Sequence, residues 1–158
     1  MKLTIYGTHS VPLRCYIHKC EQLNTHRCHI NERLHINNDT KSVRVRPDNT
    51  EELKDIIKQE IEQQGPDANL NFIDVSKITD MSYLFQFIEI GNIKIYRWDV
   101  SKVTDMRYMF SGQSSFEGNG LENWDTSNVT NMTGMFYNCK VFNANLYNWD
   151  TAKVTTMY

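Results

Sequence analysis

One sentence is written four times into the second half of this 158-residue chain, and it constrains the fold more than any other feature. Aligned on aspartate, the first copy runs Leu70-x-x-Ile73-Asp74-Val75-Ser76-Lys77-Ile78-Thr79-Asp80-Met81 and the second Ile95-x-x-Trp98-Asp99-Val100-Ser101-Lys102-Val103-Thr104-Asp105-Met106. The third is Leu121-x-x-Trp124-Asp125-Thr126-Ser127-Asn128-Val129-Thr130-Asn131-Met132, and the fourth Leu146-x-x-Trp149-Asp150-Thr151-Ala152-Lys153-Val154-Thr155-Thr156-Met157. The aspartates step by 25, 26 and 25 residues. That period is too long for a heptad and too short for a domain, so it predicts a solenoid in which each repeat forms one coil and covers its neighbour's apolar face.

The repeat accounts for the unusual residues. All three tryptophans occupy one repeat position, and six of the seven methionines (Met81, Met106, Met109, Met132, Met135, Met157) fall on two others. Equivalent positions of successive coils stack on one another, which makes core packing a simpler account of the methionines than soft-metal binding. Phe85, Phe110 and Phe136 each close a Met-x-x-Leu/Met-Phe run, and Phe116 and Phe142 recur six residues on. A coil drawn on this basis has a short strand at Trp124, Asp125 and Thr126, a polar turn at Ser127 and Asn128, Val129 turning inward, and a helical or 3₁₀ turn over Met132 to Phe136 on the opposite wall. Each large apolar side chain so covered contributes roughly 1.5 to 3 kcal/mol.

Asp74, Asp99, Asp125 and Asp150 form the most regular polar column. Carboxylates stacked about 4.8 Å apart repel one another, so they must face solvent or backbone donors. An aspartate followed two residues later by serine suits an Asx-type turn that accepts local N–H bonds. A ladder of calcium sites is the competing account, but glycine-rich acidic spacing is absent and Lys77, Lys102 and Lys153 sit three residues beyond the aspartates. A hydrolytic acid and base need two unlike environments, whereas a repeated column supplies identical ones.

The Trp-Asp-x-Ser-x-Val-Thr-x-Met-x-x-Met-Phe pattern, with Phe142-Asn143 and Leu146 leading into the next Trp-Asp, resembles the bacterial BspA-like repeat proteins, whose repeat was first catalogued as a mycoplasma domain of unknown function. The resemblance covers about residues 68 to 158, and the segment from Arg46 to Asp67 is similar to one that precedes such repeats. It implies an α+β chain with a short leucine-rich-repeat-like solenoid of about four 25-residue coils, preceded by a small β region and a capping helix. It also implies protein binding, at the cell surface in many relatives, with no catalytic residues and no cofactor. Two departures stand out: Phe87 to Tyr96 lacks the Phe-Asn step, which makes the first-to-second connection irregular, and the array is short.

Three segments are expected. Residues 1–47 alternate in Leu3-Thr4-Ile5, Leu13 to Ile17, Leu34-His35-Ile36 and Val43-Arg44-Val45, with a turn at Asn37 to Thr40, and read as a small β region of hairpins. Residues 48–66 hold the strongest helix: Asn49 or Thr50 caps it, Glu51 and Glu52 suit its first turn, Leu53, Ile56, Ile57 and Ile61 form one stripe, and Gly65-Pro66 ends it. It is the expected lid on the first coil. Residues 67–158 carry the four coils, the last lacking its helical turn, so that Leu146, Trp149, Val154, Met157 and Tyr158 form an apolar edge suited to a homodimer or a partner.

Charge separates the same regions. The net charge is −2, but residues 1–47 carry eight Lys/Arg against three Asp/Glu and all five histidines, while residues 48–158 carry nine against sixteen. Arg14, Lys19, Arg27, Arg33, Arg44 and Arg46, with Tyr6 and Tyr16 nearby, form a candidate basic patch for nucleic acid, weighed against a plain solvated sheet face. Cys15, His18, Cys20, His26, Cys28 and His29 crowd together, yet no Cys-x-x-Cys pair is present and alternation sets Cys15 and Cys20 on opposite faces, so zinc is disfavoured. Cys139 is expected as a small filler among the coils. No apolar run of seven or more follows Met1-Lys2, and no membrane span is offered, which points to the cytoplasm.

The expected function is a non-enzymatic protein-interaction module that contacts its partner through Lys77, Lys102, Asn128 and Lys153. Size and the lack of a signal suggest a small intracellular inhibitor from a mobile element, for example an anti-CRISPR protein. The alternatives are a nucleic-acid contact through the basic region and a surface adhesion-type repeat protein.

Overall fold

The structure is a computed structural model that describes the backbone of residues 34–37 and 42–45 and all of residues 46–158, with the side chains of Arg44 and Val45. The alternating segments at Leu3 to Ile5 and Leu13 to Ile17 lie outside the described residues. The chain divides into two compact units, Met1–Arg44 and Val45–Tyr158. Strands β1 (Leu34–Asn37) and β2 (Ser42–Val45) pair in a two-stranded sheet, where alternation around a polar turn predicts a hairpin.

Helix α1 spans Thr50–Gln64, two residues inside each boundary of the expected 48–66 segment. Asn49 is extended, and its side chain accepts the Glu52 N–H at 3.0 Å while the Glu52 carboxylate accepts the Asp48 N–H at 2.9 Å, so one amide of the open first turn and one just ahead of the cap are satisfied. Gly65 closes the other end in a left-handed conformation, donating its N–H to the Ile61 carbonyl. Leu53, Ile56 and Ile57 are buried, and Glu60 is buried beside them. The Gln64 amide donates to Glu60 and accepts the Asn69 N–H at 3.1 Å, tying the helix to the start of the repeats.

The repeats lie side by side in register. Isolated parallel bridges join Asp80 to Asp105, Asp105 to Asn131 and Asn131 to Thr156, each one repeat apart. From repeat to repeat these bridges run through Thr-Asp-Met and not through Trp-Asp-Thr, which is a correction to the coil drawn from sequence; among the described residues, only in the first repeat does the equivalent step, Ile73-Asp74, pair, and there with Val45. Where a helical or 3₁₀ turn was expected, the N–H groups of Leu84, Met109 and Met135 close a turn onto Met81, Met106 and Met132 three residues back, while those of Met106, Tyr108 and Phe110 continue the ladder to the carbonyls of Asn131, Thr133 and Met135 at 2.8 to 3.0 Å. A helix would spend those amides on carbonyls four residues back. Here they reach the neighbouring repeat, because a residue with positive φ interrupts each Met-x-x-Leu/Met run: Tyr83 at 55°, Tyr108 at 53° and Gly134 at 59°. At Gly134 a Cβ would come within 2.3 Å of the Tyr108 ring.

Tight turns make up the rest of each repeat. The N–H groups of Trp98, Trp124 and Trp149 donate to the carbonyls of Ile95, Leu121 and Leu146, and those of Val103, Val129 and Val154 to Val100, Thr126 and Thr151, each three residues back.

Columns of like side chains fill the space these turns enclose. Trp98, Trp124 and Trp149 stack at 6.3 and 6.4 Å with nearly parallel rings, and Phe85, Phe110 and Phe136 at 5.1 and 5.8 Å. Each indole N–H donates to a carbonyl of the preceding repeat, Trp98 to Leu70 at 2.9 Å and Trp149 to Leu121 at 2.8 Å. The polar end of each ring is thus satisfied while its body is covered, as a buried tryptophan requires. Met81, Met106, Met109, Met132 and Met135 are buried, and Met157 is not.

The first repeat is joined from its N-terminal side. Val45 bridges in parallel to Ile73 and exchanges backbone bonds with Phe72 and Asp74, occupying the place of a preceding repeat. Where later repeats carry Phe116 or Phe142, the first has Gly91, whose missing Cβ leaves room for the Asp67 carboxylate 2.4 Å from where that atom would lie. Asp67 accepts the Asn92 N–H at 2.6 Å, and Pro66 accepts that of Gly91. The irregular step noted in the sequence is thus the seat of the segment leaving α1.

Candidate functional site

Four carboxylates turn the chain in the same way once per repeat. Asp74, Asp99, Asp125 and Asp150 each accept, at 2.9 to 3.1 Å, the N–H of the residue two positions on. This is the Asx turn that the aspartate-x-serine spacing suggests. A second set repeats it at Asp80, Asp105 and Asn131. Asp99, Asp125 and Asp150 are exposed, so mutual repulsion is screened by water. Hydrogen bonds from the Ser127 hydroxyl and amide hold the Asp125 carboxyl below the usual aspartate range, and the charge of Lys153 adds to them.

Asp74 differs from the other three. It is half-buried, and the Arg46 guanidinium donates to it from Nε at 2.8 Å and again from a terminal nitrogen. Burial alone pushes the Asp74 carboxyl up, but Ser76 and Arg46 together outweigh it and hold the group below its ordinary value. Arg46, a member of the candidate basic patch, therefore serves to seat Val45 on the first repeat. Arg44 is half-buried, and Arg14, Lys19, Arg27 and Arg33 lie outside the described residues, as do Tyr6, Tyr16 and the Cys/His cluster from Cys15 to His29.

Lys77, Lys102, Asn128 and Lys153 are all exposed, one per repeat. Two of them meet: Lys153 Nζ donates to Asn128 Oδ1 at 2.6 Å, and Asn128 Nδ2 donates to the Ser101 carbonyl at 2.7 Å. Asn128 is thus a strut between neighbours as well as a surface group. Among the described residues, no hydrogen bond or ion pair engages the ammonium groups of Lys77 and Lys102. Alongside, Thr104, Thr130 and Thr155 form a further ladder, each donating through its N–H and its hydroxyl to the threonine carbonyl of the preceding repeat.

The C-terminal set behaves differently. Leu146, Trp149 and Val154 are half-buried, whereas Met157 is 58% exposed and Tyr158 95%. Cys139 is half-buried with its thiol on the Phe110 carbonyl; burial raises its pKa, opposed by a hydrogen bond with the Gln113 backbone.

Sequence reasoning missed the most unusual surface feature. Phe87, Gly112 and Asn138 occupy one repeat position, and all three have positive φ, at 65°, 81° and 59°. Glycine and asparagine tolerate that conformation, while a phenylalanine there carries strain of about 1 to 3 kcal/mol. The strained tyrosines are compensated, since Tyr83 and Tyr108 stack at 5.2 Å. Phe87 is 95% exposed and makes no ring contact among the described residues. The chain around it is held from below by Gln113, a buried side chain that donates to the carbonyls of Phe85 and Ile88 at 2.9 and 2.8 Å and accepts the Ile90 N–H at 3.1 Å. The signal available in sequence was the departure at that step, and only the φ of its neighbours shows what it means.

Two shallow clefts flank Phe87. One, of about 410 Å³, lies between the end of α1 and the loop, with Ile61, Pro66 and Ile88 as apolar walls and Lys58, Glu62 and Glu89 at its margins. The other, of about 450 Å³, lies against Gln86 and the Ser111 to Ser115 stretch. Among the described residues, no three His, Cys, Asp or Glu side chains gather as a metal site, and no helix is long and apolar enough to cross a membrane.

Residues 52–158 match the family model described as "Mycoplasma protein of unknown function, DUF285". Neither the curated proteins nor the solved structures contain a match to the chain.

Proposed function

The chain belongs to the DUF285 family, and from that premise we propose that residues 67–158 are four coils of a short leucine-rich-repeat-like solenoid of the BspA type, acting as a non-enzymatic protein-binding module. The observation that carries this reading is the exposed column Lys77, Lys102, Asn128 and Lys153, presented once per repeat beside the column of Asx-turn aspartates. Side chains spaced by a backbone ladder form an extended, pre-organised strip. A partner that matches it loses little freedom of the strip on binding, and alternating charge sets register more than raw affinity.

The strip is tested by reversing it. Lys77→Glu, Lys102→Glu and Lys153→Glu together change only exposed groups, so the melting temperature should stay within a few degrees of the parent. Pull-down from the native host followed by mass spectrometry should recover a protein with the parent chain and lose it with the triple variant. Full retention by the variant would move the contact to another face. Recovery of labelled RNA or DNA instead, with a steep salt dependence, would favour the basic N-terminal region.

A further inference from the structure

We infer that Phe87 is the centre of a self-complementary surface through which two copies of this chain pair about a two-fold axis. This surface is separate from the lysine strip, and the inference does not rest on the proposed partner binding.

A two-fold interface uses the same patch on both copies, so it must carry both a projection and the recess that receives it. The Phe87 loop carries both. Its ring projects 95% exposed from a backbone conformation that glycine and asparagine hold in the equivalent positions of the other repeats. Beside the ring lies the 410 Å³ cleft walled by Ile61, Pro66 and Ile88, large enough for a phenyl group, and Phe87 is itself one of its walls. A ring entering the partner's cleft therefore meets the partner's ring, and the two stack across the axis as buried aromatic pairs do.

Charge supports the same occupant. The margin of the cleft bears Lys58 together with Glu62 and Glu89, so both signs are present on one patch. A two-fold copy can set Lys58 against the opposite Glu89 in both halves, so that each copy supplies the other's counter-charge. The loop is also firmly built: Gln113 ties Phe85, Ile88 and Ile90 together, so the backbone that carries the ring does not need to be ordered on contact. One aromatic ring covers about 150 to 250 Å² on each side against the roughly 800 Å² per partner of a stable complex, which implies a weak, concentration-dependent dimer.

Analytical ultracentrifugation of the full chain, as a concentration series reaching about 1 mM, reads this directly. The parent should show reversible monomer–dimer exchange, and Phe87→Asn should weaken it by about tenfold or more. Asparagine suits the positive φ, so the variant keeps or raises its melting temperature and loss of dimer is not loss of fold. Lys58→Glu and Glu89→Lys should each weaken the dimer, and the two together should restore it. A parent that stays monomeric throughout overturns the inference, as does a dimer unaffected by Phe87→Asn or a double charge swap that fails to rescue. A monomeric parent that captures a different protein through Phe87 would also overturn it and give the surface to that partner.

Discussion

Trp124 and Trp149 occupy the same position of the same sentence, one repeat apart, yet they live in different environments. Trp124 is 3% exposed, stacked between Trp98 and Trp149 with Phe110 against it. Trp149 rests on Trp124 and Phe136 and remains half-exposed, although its indole N–H donates to the Leu121 carbonyl as regularly as the others. The methionines repeat the contrast, with Met132 buried and Met157 largely in solvent. Identical side chains and hydrogen bonds thus contribute different amounts, because apolar stabilisation follows the area removed from water, and in a stacked array that area belongs to the neighbour.

The widest test of that contrast is the pair of truncations. Trp124→Ala should destabilise by about 3 to 5 kcal/mol, leaving a cavity between two rings that cannot close on it. Trp149→Ala should cost about 1 to 2 kcal/mol, since only one face is covered. Chemical denaturation of both variants decides the matter; equal losses would mean that coverage by the neighbour is not the controlling quantity.

Gln113→Ala comes between them at about 2 to 3 kcal/mol, because it strands the Phe85 and Ile88 carbonyls and the Ile90 N–H where water reaches them poorly. Hydrogen exchange should localise the loosening to residues 85–90, and a uniform change would refute the clamp. In the opposite direction, Phe87→Asn should raise stability by about 0.5 to 1 kcal/mol, since strain is relieved and no buried contact is lost. A drop in the melting temperature would show that the ring is covered by something within the same chain.

The smallest effect is a pH dependence at the covered end of the array. Burial raises the Glu60 carboxyl above the ordinary glutamate value of 4.5, with the Gln64 hydrogen bond opposing it. The folded state therefore binds the proton more tightly than the unfolded one, and stability from this group is greatest below 4.5 and declines as pH rises through the folded value. Glu60→Gln should flatten that decline. Asp74 acts with the other sign: its depressed carboxyl contributes stability above the ordinary value of 3.8 that is lost as pH falls through the folded value. A parent and a Glu60→Gln variant with superimposable pH profiles from 4 to 8, roughly, would count against a buried ionisable Glu60.

Local and periodic signals were legible without coordinates. The 25- or 26-residue step, the tryptophan and methionine columns, the Asx turns at the four aspartates and the bounds of α1 from Asn49 to Gly65 all depend on residue type at a fixed spacing. The exposed Lys77, Lys102, Asn128 and Lys153 were legible for the same reason, but the bond from Lys153 to Asn128 was not.

Tertiary structure alone decided which stretch of each repeat forms the ladder, that Arg46 closes on Asp74, that Gln113 holds the irregular step, and that Phe87 stands out from it. These bonds join groups 23 to 28 residues apart, beyond any local propensity. The sign of φ at Tyr83, Phe87 and Tyr108 runs against residue preference, because the neighbouring repeats impose it. Side-chain spacing names what can be buried, whereas the backbone amides choose their partners only when the adjacent turn of chain is in place.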